Sequence, residues 1–196
     1  MDGHGLIPAL RTPRLILRGP TLADVNAYRR HFVDERVVRT LSHRVPWPYP
    51  DDGVMRYIRH HVLPNQGRGR WCWGLFRRDR PEEIIGMIEL WRNGTPEHRG
   101  FWLGHAFWGQ GFMTEANVAV LDHAFDVLGF QRMIFVNAVG NTASRRIKEK
   151  TGCTLLGRQP GRFVDPGLTE QEVWSLTPAA WQQARPALVD ARWNVL

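Results

Sequence analysis

The stretch Trp108-Gly109-Gln110-Gly111-Phe112-Met113-Thr114-Glu115-Ala116 constrains the fold more than any other part of the chain. The apolar run Arg99–Phe107 reads as a strand that stops just before it, and helical periodicity begins directly after it. Paired glycines strip side chains from the turn between them. The amides that open such a helix lack intrahelical acceptors and carry the positive end of its dipole. The turn therefore either receives a pyrophosphate or is a plain tight connection. No Gly-Lys-Ser/Thr follows, which excludes a Walker loop. The dinucleotide fingerprint is excluded too, because a third glycine is missing and the loop stands in mid-chain rather than after a first strand.

Strands and helices alternate around this loop. Arg14–Arg18 reads as a first strand, and Thr21 caps a helix to about Phe32 with Asp24 in its first turn. In Pro46-Trp47-Pro48-Tyr49-Pro50 each proline pushes its predecessor toward an extended conformation, so this is a loop whose aromatics pack or line a pocket. Asp51 opens a second helix, which Pro64 and Gly67 end. Strands follow from Arg70, at Ile84–Trp91 and at Arg99–Phe107. Gly86, Gly100 and Gly104 interrupt the last two and mark bulges or close approaches. A long helix from about Gly111 to Leu128 places Phe112, Ala116, Ala124 and Leu128 on one face. Arg132–Ala138 is a strand, Asn141 to Gly152 a capped helix, and two strands lie near Thr154–Arg158 and Glu172–Thr177. This order predicts an α/β (α+β) architecture, with helices flanking a central mixed, mostly antiparallel sheet of six to seven strands.

With 196 residues, 43% of them apolar, the chain suffices for a single domain over 1–196, with its core at about 10–181 and a short tail at 186–196. The tail packs on the chain itself or on a second subunit, which admits a homodimer. A net charge of +7 favours anionic partners without choosing among nucleic acid, acidic protein and a phosphate-bearing cofactor. No nucleic-acid-binding motif occurs and the arginines form no stripe, so nucleic acid is not expected as a partner. Cys72 and Cys153 lack metal-ligand spacing and no HExxH occurs, so no metal is expected. The start has no signal-peptide pattern and no run is long enough to cross a bilayer. A cytoplasmic location without a membrane partner is the expectation.

The glycine loop resembles the acetyl-CoA pyrophosphate loop of the GNAT superfamily, in the form used by its ribosomal-protein-acetyltransferase-like (RimJ/RimL) branch. Three further blocks agree in order: Leu10-Arg11-Thr12-Pro13-Arg14-Leu15-Ile16-Leu17-Arg18, Asp126-Val127-Leu128-Gly129-Phe130-Gln131-Arg132, and Asn141-Thr142-Ala143-Ser144-Arg145-Arg146. The resemblance runs from about residue 10 to Trp181. Trp108 and Met113 depart from the general superfamily loop. Lys148 and Thr151 replace positions usually apolar in the branch, and Cys153 stands where phenylalanine is common.

The resemblance implies an N-acetyltransferase in which a substrate amine attacks the thioester of acetyl-CoA directly. The strand Arg99–Phe107 would splay from its neighbour near Gly104. Backbone groups of Leu103, Gly104 and His105 would bond the pantetheine arm and polarise the thioester. Gly109, Gln110, Gly111, Phe112, Met113 and Thr114 would hold the pyrophosphate, with Asn141 contacting the cofactor from the next helix. The departing thiolate needs a proton. None of the three tyrosines lies near Asn141, so Ser144 takes that role by resemblance or is merely a small residue at a helix start.

The amine must lose a proton, and His98, Glu89 and ordered water all remain candidate acceptors. His98 stands where the branch often carries glutamate. Glu89 sits in an otherwise apolar strand and needs either a catalytic reason or a partner arginine. Trp47, Tyr49 and Trp91 are candidates for an acceptor pocket. The acceptor is a protein N-terminus or a small-molecule amine, and the positive charge favours acidic or neutral acceptors over polyamines. A CoA-binding module without catalysis is the alternative.

Overall fold

The long hairpin of β3 (Arg70–Arg77) and β4 (Arg80–Trp91) is the spine of the computed structural model, which describes residues 7–93, 97–190 and 193. Trp71, Trp73 and Leu75 alternate with Cys72 and Phe76, and all five are buried, so helices must cover both faces of this hairpin. β1 (Leu10–Arg11), β2 (Leu15–Arg18), β3, β4 and β5 (Arg99–Leu103) form one sheet in chain order, antiparallel throughout.

One face carries α1 (Val25–Phe32), α2 (Glu35–Val38) and α3 (Gly53–Tyr57), the last extended by a wider turn through Val62. Tyr28, Phe32, Val38 and Ile58 pack there on Cys72, Phe76, Met87 and Trp102. The expected start of α1 is held by Asp24, whose carboxylate accepts from the Thr21 amide at 2.7 Å and from Arg18 at 2.9 Å. The opposite face carries α4 (Phe112–Asp122), continued by a wide turn to Val127. Ala116, Val120 and Ala124 pack there with Trp73, Ile88 and Leu103.

The remaining strands form a second antiparallel sheet in the order β6 (Met133–Ala138), β8 (Glu170–Leu176), β7 (Thr154–Pro160), with α5 (Thr142–Lys150) and α6 (Pro178–Ala184) following β6 and β8. His98 joins the two sheets. Its amide donates to Ile134 O at 2.8 Å, its Nδ1 accepts from the Ile134 amide at 2.9 Å, and its carbonyl accepts from Trp91 N at 3.0 Å. Past this apex β5 and β6 share no ladder, so the expected α/β architecture is present with its splay, its strands divided between two sheets.

The strand expected over Arg99–Phe107 ends earlier, at Leu103. Gly104 N still donates to Ile85 O at 2.8 Å, but Phe107 N then closes a tight turn on Gly104 O at 2.9 Å. The first six residues, on which the leader expectation rests, and most of the tail past Asp190 lie outside the described residues. Leu188, Val189 and Trp193 of the tail pack on the core beneath α4.

Candidate active site

The gap between β5 and β6 opens into a cleft of about 2030 Å³ that runs from the start of α4 to the aromatic side chains of α1 and α3. At its α4 end, Gly109 and Gly111 have φ of +74° and +79°, a left-handed conformation that glycine adopts without steric cost. No atom lies within 4 Å of where a Cβ on Gly109 would stand, so a side chain there would occupy open cradle. The first hydrogen bond of α4 runs from Glu115 N to Gly111 O at 3.0 Å. The amides of residues 109–114 therefore donate to no protein group among the described residues. Unbonded amides, a positive helix end and cleared space fit a diphosphate.

The loop is clamped from behind. Arg14 donates through Nη1 to Gln110 O at 2.8 Å and through Nε to Glu115 at 2.6 Å, and its guanidinium lies 4.5 Å over the Phe112 ring. The buried Glu115 also accepts from Thr12 Oγ1 at 2.6 Å and Arg14 N at 2.7 Å. In the sequence Arg14 is legible as the start of the first strand and Glu115 as part of the glycine loop, but not as partners. Their pairing spans a separation of 101 residues and left no local signal. Glu115→Gln is expected to cost about 1.5 kcal/mol, the scale of a hydrogen bond to a charged group. Urea denaturation measures it, and an unchanged midpoint would show that this clamp does not hold the loop. Gln110 does not line the cleft; its side chain donates to Ala106 O at 2.9 Å, and only its amide faces the cradle.

Beyond the loop, the Gly104 amide is already bonded to β4, so of the backbone groups expected to act here it is not free to polarise a carbonyl. Leu103 O accepts from Trp108 Nε1 at 2.7 Å, outside the β4 ladder. Alternation of that ladder turns the Leu103 N–H toward the gap as well. His105 lines the cleft with its ring 4.9 Å from that of Trp108.

On the facing helix, Asn141 Oδ1 accepts from Ser144 N at 3.1 Å as the expected cap, and its Nδ2 has no partner among the described residues. Ser144 is buried against the cleft, and its Oγ accepts from Lys148 Nζ at 2.8 Å. The hydroxyl hydrogen is thereby left to donate elsewhere.

The candidate bases separate clearly. Glu89 lines the cleft, but its Oε2 accepts from Arg70 Nη2 at 2.6 Å and from Tyr57 Oη at 3.1 Å, so the partner arginine accounts for a carboxylate in that strand. His98 lies at the apex and does not line the cleft. Its Nδ1 is engaged by Ile134, its ring meets Phe130 edge-on at 5.9 Å, and burial lowers its pKa. Glu97 and Arg99 line the cleft, and His98 between them does not.

Glu97 was missed by sequence reasoning, because it precedes β5 and no local pattern turns it toward the cleft. Burial raises its carboxyl to about 7, with Lys148 and the Val136 backbone pulling the other way. Arg99 is buried, donates to Asn117 Oδ1 at 2.5 Å and lies 3.9 Å over the Phe135 ring. Burial lowers its pKa to about 10.

At the opposite end of the cleft Tyr49 packs edge-on against Phe32 at 5.1 Å. Trp91 lies against Gly100, where a Cβ would come within 3.1 Å of the indole. Trp47 does not join them. It is 40% exposed and borders a separate small pocket with Arg39, Asp165 and Pro166, because Tyr49 fills the place on Phe32. Arg44, Arg68 and Arg162 line this end, exposed and without an ion-pair partner among the described residues. Among those residues no cluster of His, Cys, Asp and Glu could hold a metal, and no helix is long and apolar enough to cross a membrane.

Comparison with known proteins matches residues 14–154 to the profile described as Acetyltransferase (GNAT) domain. The uncharacterized N-acetyltransferase YoaA of Bacillus subtilis is 29% identical over 149 residues, covering 75% of this chain and 83% of that protein. An acetyltransferase crystal structure from Agrobacterium tumefaciens superposes with a TM-score of 0.66 at 26% identity, covering 87% of this chain and 94% of that one. The fold also matches RimL, a ribosomal L7/L12 α-N-protein acetyltransferase solved with coenzyme A, with a TM-score of 0.73 at 17% identity over 88% of this chain and 99% of that one.

Proposed function

The chain belongs to the GNAT acetyltransferase family, and on that premise we propose that it transfers an acetyl group from acetyl-CoA to a primary amine, on a protein N-terminus or a small molecule. The observation that carries this reading is one cleft holding an unbonded amide cradle together with half-buried Glu97 and buried Ser144. Acetyl-CoA supplies the thioester whose acetyl group moves to the amine. The amides of residues 109–114 hold its diphosphate, supported by Arg146 and Lys150. These two are one turn apart on α5 and have no ion-pair partner among the described residues. Asn141 Nδ2 steadies the bound molecule, and the Leu103 amide donates to the carbonyl oxygen as charge develops there.

Glu97 takes the proton from the attacking amine. A carboxyl near 7 is ionised often enough to act while remaining a useful base at neutral pH. Ser144 donates its hydroxyl hydrogen to the departing thiolate. Glu89 shapes the acceptor end through its tie to Arg70.

The exposed Arg44, Arg68 and Arg162 favour an acceptor that carries a carboxylate beside its amine. Thiol release measured across paired amines tests both points. Carboxylate-bearing amines are expected to exceed polyamines by about 10-fold in kcat/KM, the scale of one well-placed charge interaction. Equal values would remove the arginines from acceptor choice, and no release with any amine would sink the proposal.

A further inference from the structure

Lys148 is the most deeply buried charged side chain among the described residues, 1% exposed, and it stands where the resemblance leads one to expect an apolar residue. A lysine is rarely buried without a partner, since its ammonium loses its hydration there. Among the described residues Lys148 makes one hydrogen bond, from Nζ to Ser144 Oγ at 2.8 Å, four residues back on α5. We propose that Lys148 is a positioning residue for acetyl transfer, which orients the Ser144 hydroxyl and replaces its proton when Ser144 protonates the departing thiolate. The proposal rests on the acetyltransferase reading and assigns a role to a residue that the reading does not use.

The geometry favours this role for two reasons. An ammonium that donates to Ser144 Oγ occupies one oxygen lone pair and turns the hydroxyl hydrogen away from itself, into the cleft. It also makes that hydrogen more acidic. The proton balance is closed: the Ser144 O–H bond breaks as the S–H bond forms, a Lys148 N–H bond breaks as the serine O–H is restored, and a neutral amine remains until solvent recharges it.

The charged and titratable groups facing Lys148 are Arg99 from β5, Glu97 just before β5, Glu172 from β8 and Cys153 just after α5. Burial, and after it Arg99, brings Lys148 down to about 7, while Cys153, Glu97 and Glu172 oppose. An ammonium lowered from the ordinary 10.5 gives up its proton more readily than a free lysine. The lowered value allows the proton to leave and return within a turnover.

Because protonated Lys148 is the working form, wild-type kcat is expected to fall as pH rises through about 7. The test measures kcat against pH for wild type, Lys148→Met, Lys148→Arg, Ser144→Ala and the double variant, with acetyl-CoA affinity by calorimetry alongside. Methionine fills a similar volume and removes a buried charge, so the fold is retained. Lys148→Met is expected to lower kcat by about 10-fold, within the range of assistance to proton transfer, with affinity within about 2-fold of wild type. Its alkaline fall is expected to disappear.

Lys148→Arg, charged at every working pH, is expected to restore the orientation and recover part of the rate without the alkaline fall. With Ser144→Ala in place, removing Lys148 is expected to change nothing further. Additive losses in the double variant, or an alkaline fall that survives in Lys148→Met, would overturn the proposal while leaving acetyl transfer intact. A wild type that releases no thiol would overturn both.

Discussion

Gly111→Asp is expected to reduce acetyl-CoA affinity by at least about 100-fold in calorimetry, equivalent to about 2.7 kcal/mol, while the protein stays folded. Gly111 is the N-cap of α4 and sits at φ +79°, where aspartate is among the better-tolerated substitutes. A carboxylate at a helix N-terminus is favourable to the helix itself, because it bonds the free amides and meets the positive dipole end. That same bond removes the amides from a diphosphate and sets a negative charge against it.

Gly111→Ala separates the two effects. It carries the left-handed backbone cost, about 1–2 kcal/mol, without the charge, and is expected to cost stability while weakening binding only a few-fold. Unchanged affinity in Gly111→Asp would mean that the cradle does not hold the cofactor.

Glu97→Gln is expected to lower kcat/KM by about 100-fold, the usual contribution of a well-placed base. In the wild type, Glu97 ionisation is expected to give the rate an acid limb below about 7, which meets the alkaline fall set by Lys148 in a bell with its maximum near 7, and the variant is expected to lose the acid limb. The linkage to stability has the opposite sense. Its folded pKa of about 7 lies above the ordinary 4.5, so the folded chain holds this proton more tightly than the unfolded chain. The stabilising contribution is complete below about 4.5 and is lost as pH rises through 7.

Glutamine carries no charge to desolvate, so above pH 7 the variant is expected to melt at a higher temperature than wild type. Lower activity with higher stability identifies a buried base. Lower activity with lower stability would point to a packing defect, and an unchanged rate would remove Glu97 from the chemistry.

The glycine turn was legible in the sequence because its cause is local. Two glycines reach left-handed φ without strain and the following residues propagate a helix, whatever lies around them. Asn141 was legible for the same reason, since its cap on Ser144 spans three residues.

Tertiary structure alone decided which groups share the cleft. Glu97 and His98 are adjacent and both titratable, and nothing local separates them. Bonds between His98 and Ile134, 36 residues apart, pin His98 at the apex where the sheets join, while Glu97 beside it lines the cleft. Trp47 and Tyr49 are two residues apart in one loop, yet only Tyr49 reaches Phe32 and the cleft. Lys148 read as a departure from an apolar pattern, but its sequence neighbours do not determine burial. Its surroundings come from β5 and the residues before it, from β8 and from Cys153 beyond the end of α5, brought together by the packing of two sheets. Local backbone preference thus wrote the elements and the loop, while the proton-handling groups acquired their environments from contacts that no short stretch of sequence contains.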